Sequence, residues 1–185
     1  MTHIRHWLAL ACLAGGLPVL AQTAPSPPSP TMYLQAGAGE DSSQALVLGV
    51  TLPWKSWSWP LGGGLVRGHW DLYAGAWSGR DLAQDRFHTA VIGAGPSLRW
   101  RGQQGASPWF LEAGTGLMVS NKHFYASDER MATRWNFASH IGLGMNWGPR
   151  QEHELSLRLQ HASNASAKKP NPGVNFLLLR YAHAF

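Results

Sequence analysis

The chain has 185 residues, a formal net charge of +5, ten tryptophans and 21 glycines, and only 14% of its residues are charged. Much glycine and tryptophan with little charge points to an all-β chain rather than a helical or disordered one. One cysteine excludes a disulfide framework, and the mild positive excess comes without the aromatic–basic motif that a nucleic-acid partner would need.

Residues 1–21 read as a secretory signal peptide, with a basic opening at Arg5, an apolar run from Trp7 to Leu20 and a small residue, Ala21, at the cut. The run is too short for a membrane span and is broken by Gly15, Gly16 and Pro18. Cys12, the lone cysteine, leaves with it. Residues 22–30 form a linker in which Pro25, Pro27, Pro28 and Pro30 deny the chain a hydrogen-bonded ladder. The folded domain is expected over 31–185.

Within that domain, alternation of apolar and polar residues predicts eight strands, at 31–39, 44–54, 64–78, 85–101, 108–120, 133–147, 152–163 and 174–185. Gly62-Gly63-Gly64, Gly148-Pro149 and Pro172-Gly173 are among the turn signals between them. In the third strand Val66, Trp70 and Leu72 oppose Arg67, His69 and Asp71. In the fifth Leu111, Ala113 and Leu117 oppose Phe110 and Glu112. In the last Leu177, Leu179 and Tyr181 oppose Arg180.

A secreted, lipocalin-like barrel would turn the apolar face inward, whereas an outer-membrane barrel turns it to lipid. Three features favour the membrane. Trp54, Trp57, Trp59, Trp77, Trp100, Trp109, Trp135 and Trp147 cluster at strand ends, where interfacial girdles lie. Arg67, Asp71, Arg99, Glu112, Arg158 and Arg180 share the polar face and can neutralise one another inside. The chain ends on an aromatic residue, Phe185, as bacterial outer-membrane barrels do. The expectation is an eight-stranded antiparallel transmembrane β-barrel of the outer membrane, filled by side chains and not a pore.

The seventh strand breaks its own pattern. Leu155, Leu157 and Leu159 form its apolar face, and the same face continues into His161 and Ser163. A strand fraying into a polar loop would look like this; so would a base set beside a hydroxyl, the minimum for an activated nucleophile. With both termini in the periplasm, odd strands run outward, so the pair sits at the extracellular end facing lipid. Polar groups there are costly, and the leaflet they meet is lipopolysaccharide.

Residues 161–173 read HASNASAKKPNPG. This stretch resembles the C-terminal motif H-x-S-N-A-x(4)-P-N-x-G of the PagL-type lipid A 3-O-deacylases. Residues 68–71 (GHWD) and Asn136-Phe137 also look like family positions. The resemblance implies an outer-membrane carboxylic ester hydrolase whose substrate is lipopolysaccharide and which removes the ester-linked 3-hydroxyacyl chain at position 3 of lipid A. It implies Ser163 as nucleophile, His161 as base and Asn164 as a contributor to the oxyanion hole. Phe137 and Leu177, outward on the flanking strands, are expected to border the acyl groove.

One position departs from the pattern. The family's third member is a glutamate twelve residues beyond the serine, and here that residue is Asn175; no Asp or Glu follows Glu154. An asparagine carbonyl can hold the histidine tautomer but cannot stabilise the imidazolium by charge. The site is then slow, recruits an acid from elsewhere, or is inactive, and a barrel with only a structural or lipid-binding role is the alternative. No cofactor is implied. His69, His88, His123, His140, His153 and His183 are scattered without ligand spacing, so no metal is expected. Nothing in the sequence sets an oligomeric state.

Overall fold

The computed structural model describes residues 29–185; the expected signal peptide and most of the expected linker, 1–28, lie outside the described residues. Eight antiparallel strands close into one barrel: β1 (Thr31–Gly39), β2 (Gln44–Leu61), β3 (Gly64–Arg80), β4 (Arg86–Arg101), β5 (Trp109–Ser120), β6 (Trp135–Trp147), β7 (His153–Ser163) and β8 (Val174–Ala184). Each strand pairs with its neighbours in sequence, and β1 pairs with β8 to close the ring. A two-stranded ribbon, Tyr125–Ala126 with Glu129–Arg130, sits in the β5–β6 connection. Among the described residues no helix is long and apolar enough to cross a membrane.

Side chains alternate across every strand because successive Cβ atoms point to opposite faces of the sheet. The outer face carries exposed apolar groups all round: Leu34 on β1, Leu48 on β2, Leu72 on β3, Ile92 on β4, Leu117 on β5, Ile141 on β6, Leu157 on β7 and Leu179 on β8. The inner face is charged. Arg158 and Arg180 each meet Asp71, at 3.0 and 3.1 Å, and Arg99 meets Glu112 and Glu154, both at 2.6 Å. Arg158 also pairs with Glu112, and Arg180 stacks on the Tyr33 ring at 3.4 Å. Buried carboxylates are thus matched by buried guanidiniums, which ions removed from water require. A polar interior inside an apolar wall is a barrel built for lipid.

Two strand-level expectations change. β2 does not stop near residue 54. A bulge between Pro53 and Ser58 absorbs the proline, pairing with β3 resumes, and the strand runs to Leu61 before the Gly62–Gly63 turn, both glycines having positive φ (55° and 72°). In this extension the Trp54 ring lies over Gly68, leaving no room for a Cβ there, and Val66 is buried rather than lipid-facing. Trp77 is not part of an interfacial girdle. Its place in β3 has the parity of Asp71, so it points inward, is only 2% exposed and packs on Phe124 and Phe176 at ring-centroid distances of 5.6 and 4.6 Å. With Met118 and Met131 these rings form an apolar core at the end of the barrel where the β7–β8 loop lies.

Candidate active site

The site grows from the alternation of two strands. On β7, Ala162 is fully buried, so His161 and Ser163 on either side of it turn outward. On β8, Val174 and Phe176 anchor inward and turn Asn175 outward. The β7–β8 register sets Asn175 directly opposite His161. The three side chains then meet in line. His161 Nε2 lies 3.0 Å from Ser163 Oγ, and His161 Nδ1 lies 2.8 Å from Asn175 Oδ1. The asparagine oxygen only accepts, so Nδ1 carries the proton and Nε2 presents its lone pair to the serine hydroxyl. This is the tautomer a general base needs.

Residues 164–173 hold the pair in place. Asn164 is 0% exposed. Its side-chain amide donates to Lys168 O (2.7 Å) and Thr133 Oγ1 (3.2 Å), and its backbone N–H donates to Asn171 Oδ1 (3.0 Å). Thr133 in turn donates to Asn136 Oδ1 at 3.4 Å. The side-chain and backbone donors of Asn164 are therefore engaged in shaping the loop that follows Ser163. An oxyanion hole drawing on either would exchange one of these bonds for the oxyanion. Gly173 has φ +71° and rests against the histidine: a Cβ there would come within 2.8 Å of His161 Cε1. The motif residues thus divide the work. His161 and Ser163 form the pair, Asn164 and Asn171 fasten the loop, and Gly173 lets it close on the ring.

The lipid side of the site is apolar. Phe137 is the cross-strand partner of Ser163 and is 42% exposed; Leu177, two residues below Asn175 on the same face, is 49% exposed. Trp135 extends this surface past Phe137, the two rings meeting edge to face at 6.2 Å. Ser139 lies opposite His161 on β6, and its hydroxyl is bonded to that of Thr115 at 2.9 Å. These exposed hydroxyls continue the polar row of His161 and Asn175 around the wall, and no sequence motif singles them out.

Glu40 is equally inconspicuous in the sequence. This residue follows β1 and lies across the seam from Asn175, its backbone N–H donating to Asn175 O at 3.1 Å. Both carboxylate oxygens accept from the Asn175 side-chain amide at 3.0 Å, and Oε2 also accepts the Asn175 backbone N–H at 3.1 Å. Only the register of the last strand on the first could have found it, and no local pattern encodes that register. The residues of the GHWD stretch are elsewhere: His69 and Asp71 point into the lumen, where Asp71 is part of the ion network. Among the described residues no group of three or more His, Cys, Asp or Glu is placed to hold a metal ion.

The sequence model of the family described as lipid A 3-O-deacylase (PagL) matches residues 45–184. The lipid A deacylase PagL of Bordetella bronchiseptica is 32% identical over 182 residues, covering 96% of this chain and 92% of the relative. Its namesake from Pseudomonas aeruginosa is 29% identical over 146 residues, covering 78% of this chain and 80% of the relative. A crystal structure described as that of the outer membrane enzyme PagL superposes with a TM-score of 0.69 at 23% identity, over 84% of this chain and 99% of that one.

Proposed function

The chain belongs to the lipid A 3-O-deacylase (PagL) family, and from that premise we propose that it is an outer-membrane serine esterase that hydrolyses the 3-hydroxyacyl ester at position 3 of lipid A. The observation that carries this reading is the aligned row Ser163–His161–Asn175 on the lipid-facing wall, at 3.0 and 2.8 Å. A soluble esterase would hide such a row in a cleft. Here it is open to a substrate that is itself part of the membrane.

The chemistry is divided among a few side chains. His161 Nε2 takes the proton of Ser163 as Oγ adds to the ester carbonyl carbon. The resulting imidazolium then gives that proton to the sugar oxygen as the carbonyl carbon–oxygen bond breaks, releasing the deacylated lipid A and leaving the acyl group on Ser163. A water molecule deprotonated by the same nitrogen attacks the acyl-enzyme, the bond to Oγ breaks, and the serine regains its proton as the 3-hydroxy fatty acid leaves. Asn175 keeps the His161 proton on Nδ1 through both halves. Asn164 holds the loop beside the developing oxyanion, where a pre-set donor is worth most. Phe137 and Leu177 border the groove that takes the acyl chain. The position of the site near the outer rim brings it to the depth at which acyl esters join the sugars.

The test is mass spectrometry of lipid A from cells expressing the protein, its Ser163→Ala variant or its His161→Ala variant. The reading expects lipid A lighter by one 3-hydroxyacyl group with the unaltered chain only. Unchanged lipid A in all three would instead support the lipid-binding barrel suggested by the missing glutamate.

A further inference from the structure

We infer that Glu40 is the acidic member of this site and acts as a positioning residue, through Asn175, on His161. The inference rests on the esterase reading above and extends it to a residue on the opposite side of the barrel seam.

Donors and acceptors decide the orientation of the row. An asparagine side chain can be turned either way, and only one way suits catalysis, with Oδ1 toward His161. A carboxylate accepts and never donates. With both oxygens of Glu40 at 3.0 Å from Asn175 Nδ2, the amide nitrogen must face Glu40. Turning the amide over would set its oxygen against the carboxylate and an N–H donor against the donor on Nδ1. Glu40 therefore selects the Asn175 orientation, Asn175 selects the His161 tautomer, and that tautomer leaves Nε2 free for Ser163. Glu40 also places a negative charge one amide away from the imidazolium that forms during attack. In lipid surroundings such a charge is screened less than in water. The third bond, from the Asn175 backbone N–H to Oε2 at 3.1 Å, holds the carboxylate beside that amide.

This arrangement explains how the family's glutamate position can hold an asparagine. The acid has moved back by one side chain and is supplied by the turn after β1. It also predicts that the two positions are coupled. A carboxylate at 175 would stand against Glu40, and like charges in contact oppose each other. The same carboxylate without Glu40 would bond His161 directly.

The experiment is a double-mutant cycle on the purified full-length barrel in detergent, measuring release of 3-hydroxy fatty acid from lipopolysaccharide at varied concentration. Glu40→Ala is expected to lower turnover about 10- to 100-fold, less than the roughly 10⁴ that loss of a directly bonded triad acid costs, with little change in the half-saturating concentration. Glu40→Gln keeps an acceptor without the charge and should fall between Glu40→Ala and the unaltered chain. Asn175→Glu alone should not exceed the unaltered chain, whereas Glu40→Ala combined with Asn175→Glu should recover its turnover or surpass it. A Glu40 that merely stitches β1 to β8 would give additive losses in the double variant and no recovery, and full activity of Glu40→Ala would equally overturn the inference. Ser163→Ala, run alongside, separates the two readings. If it stays active, the esterase assignment itself fails; if it is dead while the cycle is additive, only the role of Glu40 fails.

Discussion

At the scale of single residues, the site depends on positions that do no chemistry themselves. Gly173 is the clearest. Its φ of +71° strains any residue with a side chain, and a Cβ would press on His161 Cε1 at 2.8 Å. Gly173→Ala should therefore push the imidazole off Ser163, and misplacement of about 1 Å can cost on the order of 10²-fold in rate. The expected result is a folded barrel with turnover lowered at least roughly tenfold; unchanged turnover would mean that the loop and ring do not depend on each other. Asn175→Leu should be harsher than Glu40→Ala, because it removes the acceptor for Nδ1 and leaves Glu40 without its amide partner. His161 and Ser163 are legible in the sequence because they sit where the alternation of β7 calls for leucine. Glu40 is not, because nothing near residue 40 distinguishes it from an ordinary acidic turn residue.

At the scale of elements, the β7–β8 hairpin carries the proposed machinery, and a buried polar chain from Asn164 through Thr133 to Asn136 ties its loop to β6 and the β5–β6 connection. Asn164→Ala would leave the Lys168 carbonyl without its donor and Thr133 with one partner fewer. Each hydrogen bond lost costs about 0.5–1.5 kcal/mol, so the variant should unfold at lower urea concentration and lose most of its turnover. Thr133→Val, which lies outside the motif but bonds its Asn164, should show the same pair of effects more weakly; full activity in Thr133→Val would detach the chain from the site. The strands themselves are readable from period-two alternation, and all except β2 lie within two residues of expectation at either end. The continuation of β2 to Leu61 is hidden because Pro53 looks like a terminator. In the structure the bulge after Pro53 accommodates it and pairing starts again. Trp77 misleads for a related reason: its proximity to a strand end suggests a girdle, but parity decides which face a side chain takes.

At the scale of the whole molecule, an outer-membrane barrel keeps its shape from within. Asp71 receives Arg158, Arg180 and the Tyr33 hydroxyl, the last at 2.5 Å. Removing it with Asp71→Ala would leave two buried guanidiniums short of a counter-charge, a change that costs about 3–5 kcal/mol where a buried pair is broken. The variant should lose its folded, heat-modifiable migration at distinctly lower temperature or urea concentration than the unaltered barrel. Unaltered stability would show that the lumen network carries no weight in the fold. The rigid lumen leaves the outer wall free to carry a reaction. Inward Ala162, Val174 and Phe176 hold the strands, while His161, Ser163 and Asn175 beside them turn outward.

If the outer wall is the reaction surface, Ser163 becomes acylated there by lipid A. The most direct measurement is acid quenching of the purified barrel during turnover of lipopolysaccharide, followed by intact-mass and peptide mass spectrometry. The expected result is a 3-hydroxyacyl adduct on the peptide bearing Ser163, and no adduct in Ser163→Ala. An adduct on another residue, or fatty-acid release that persists in Ser163→Ala, would contradict it.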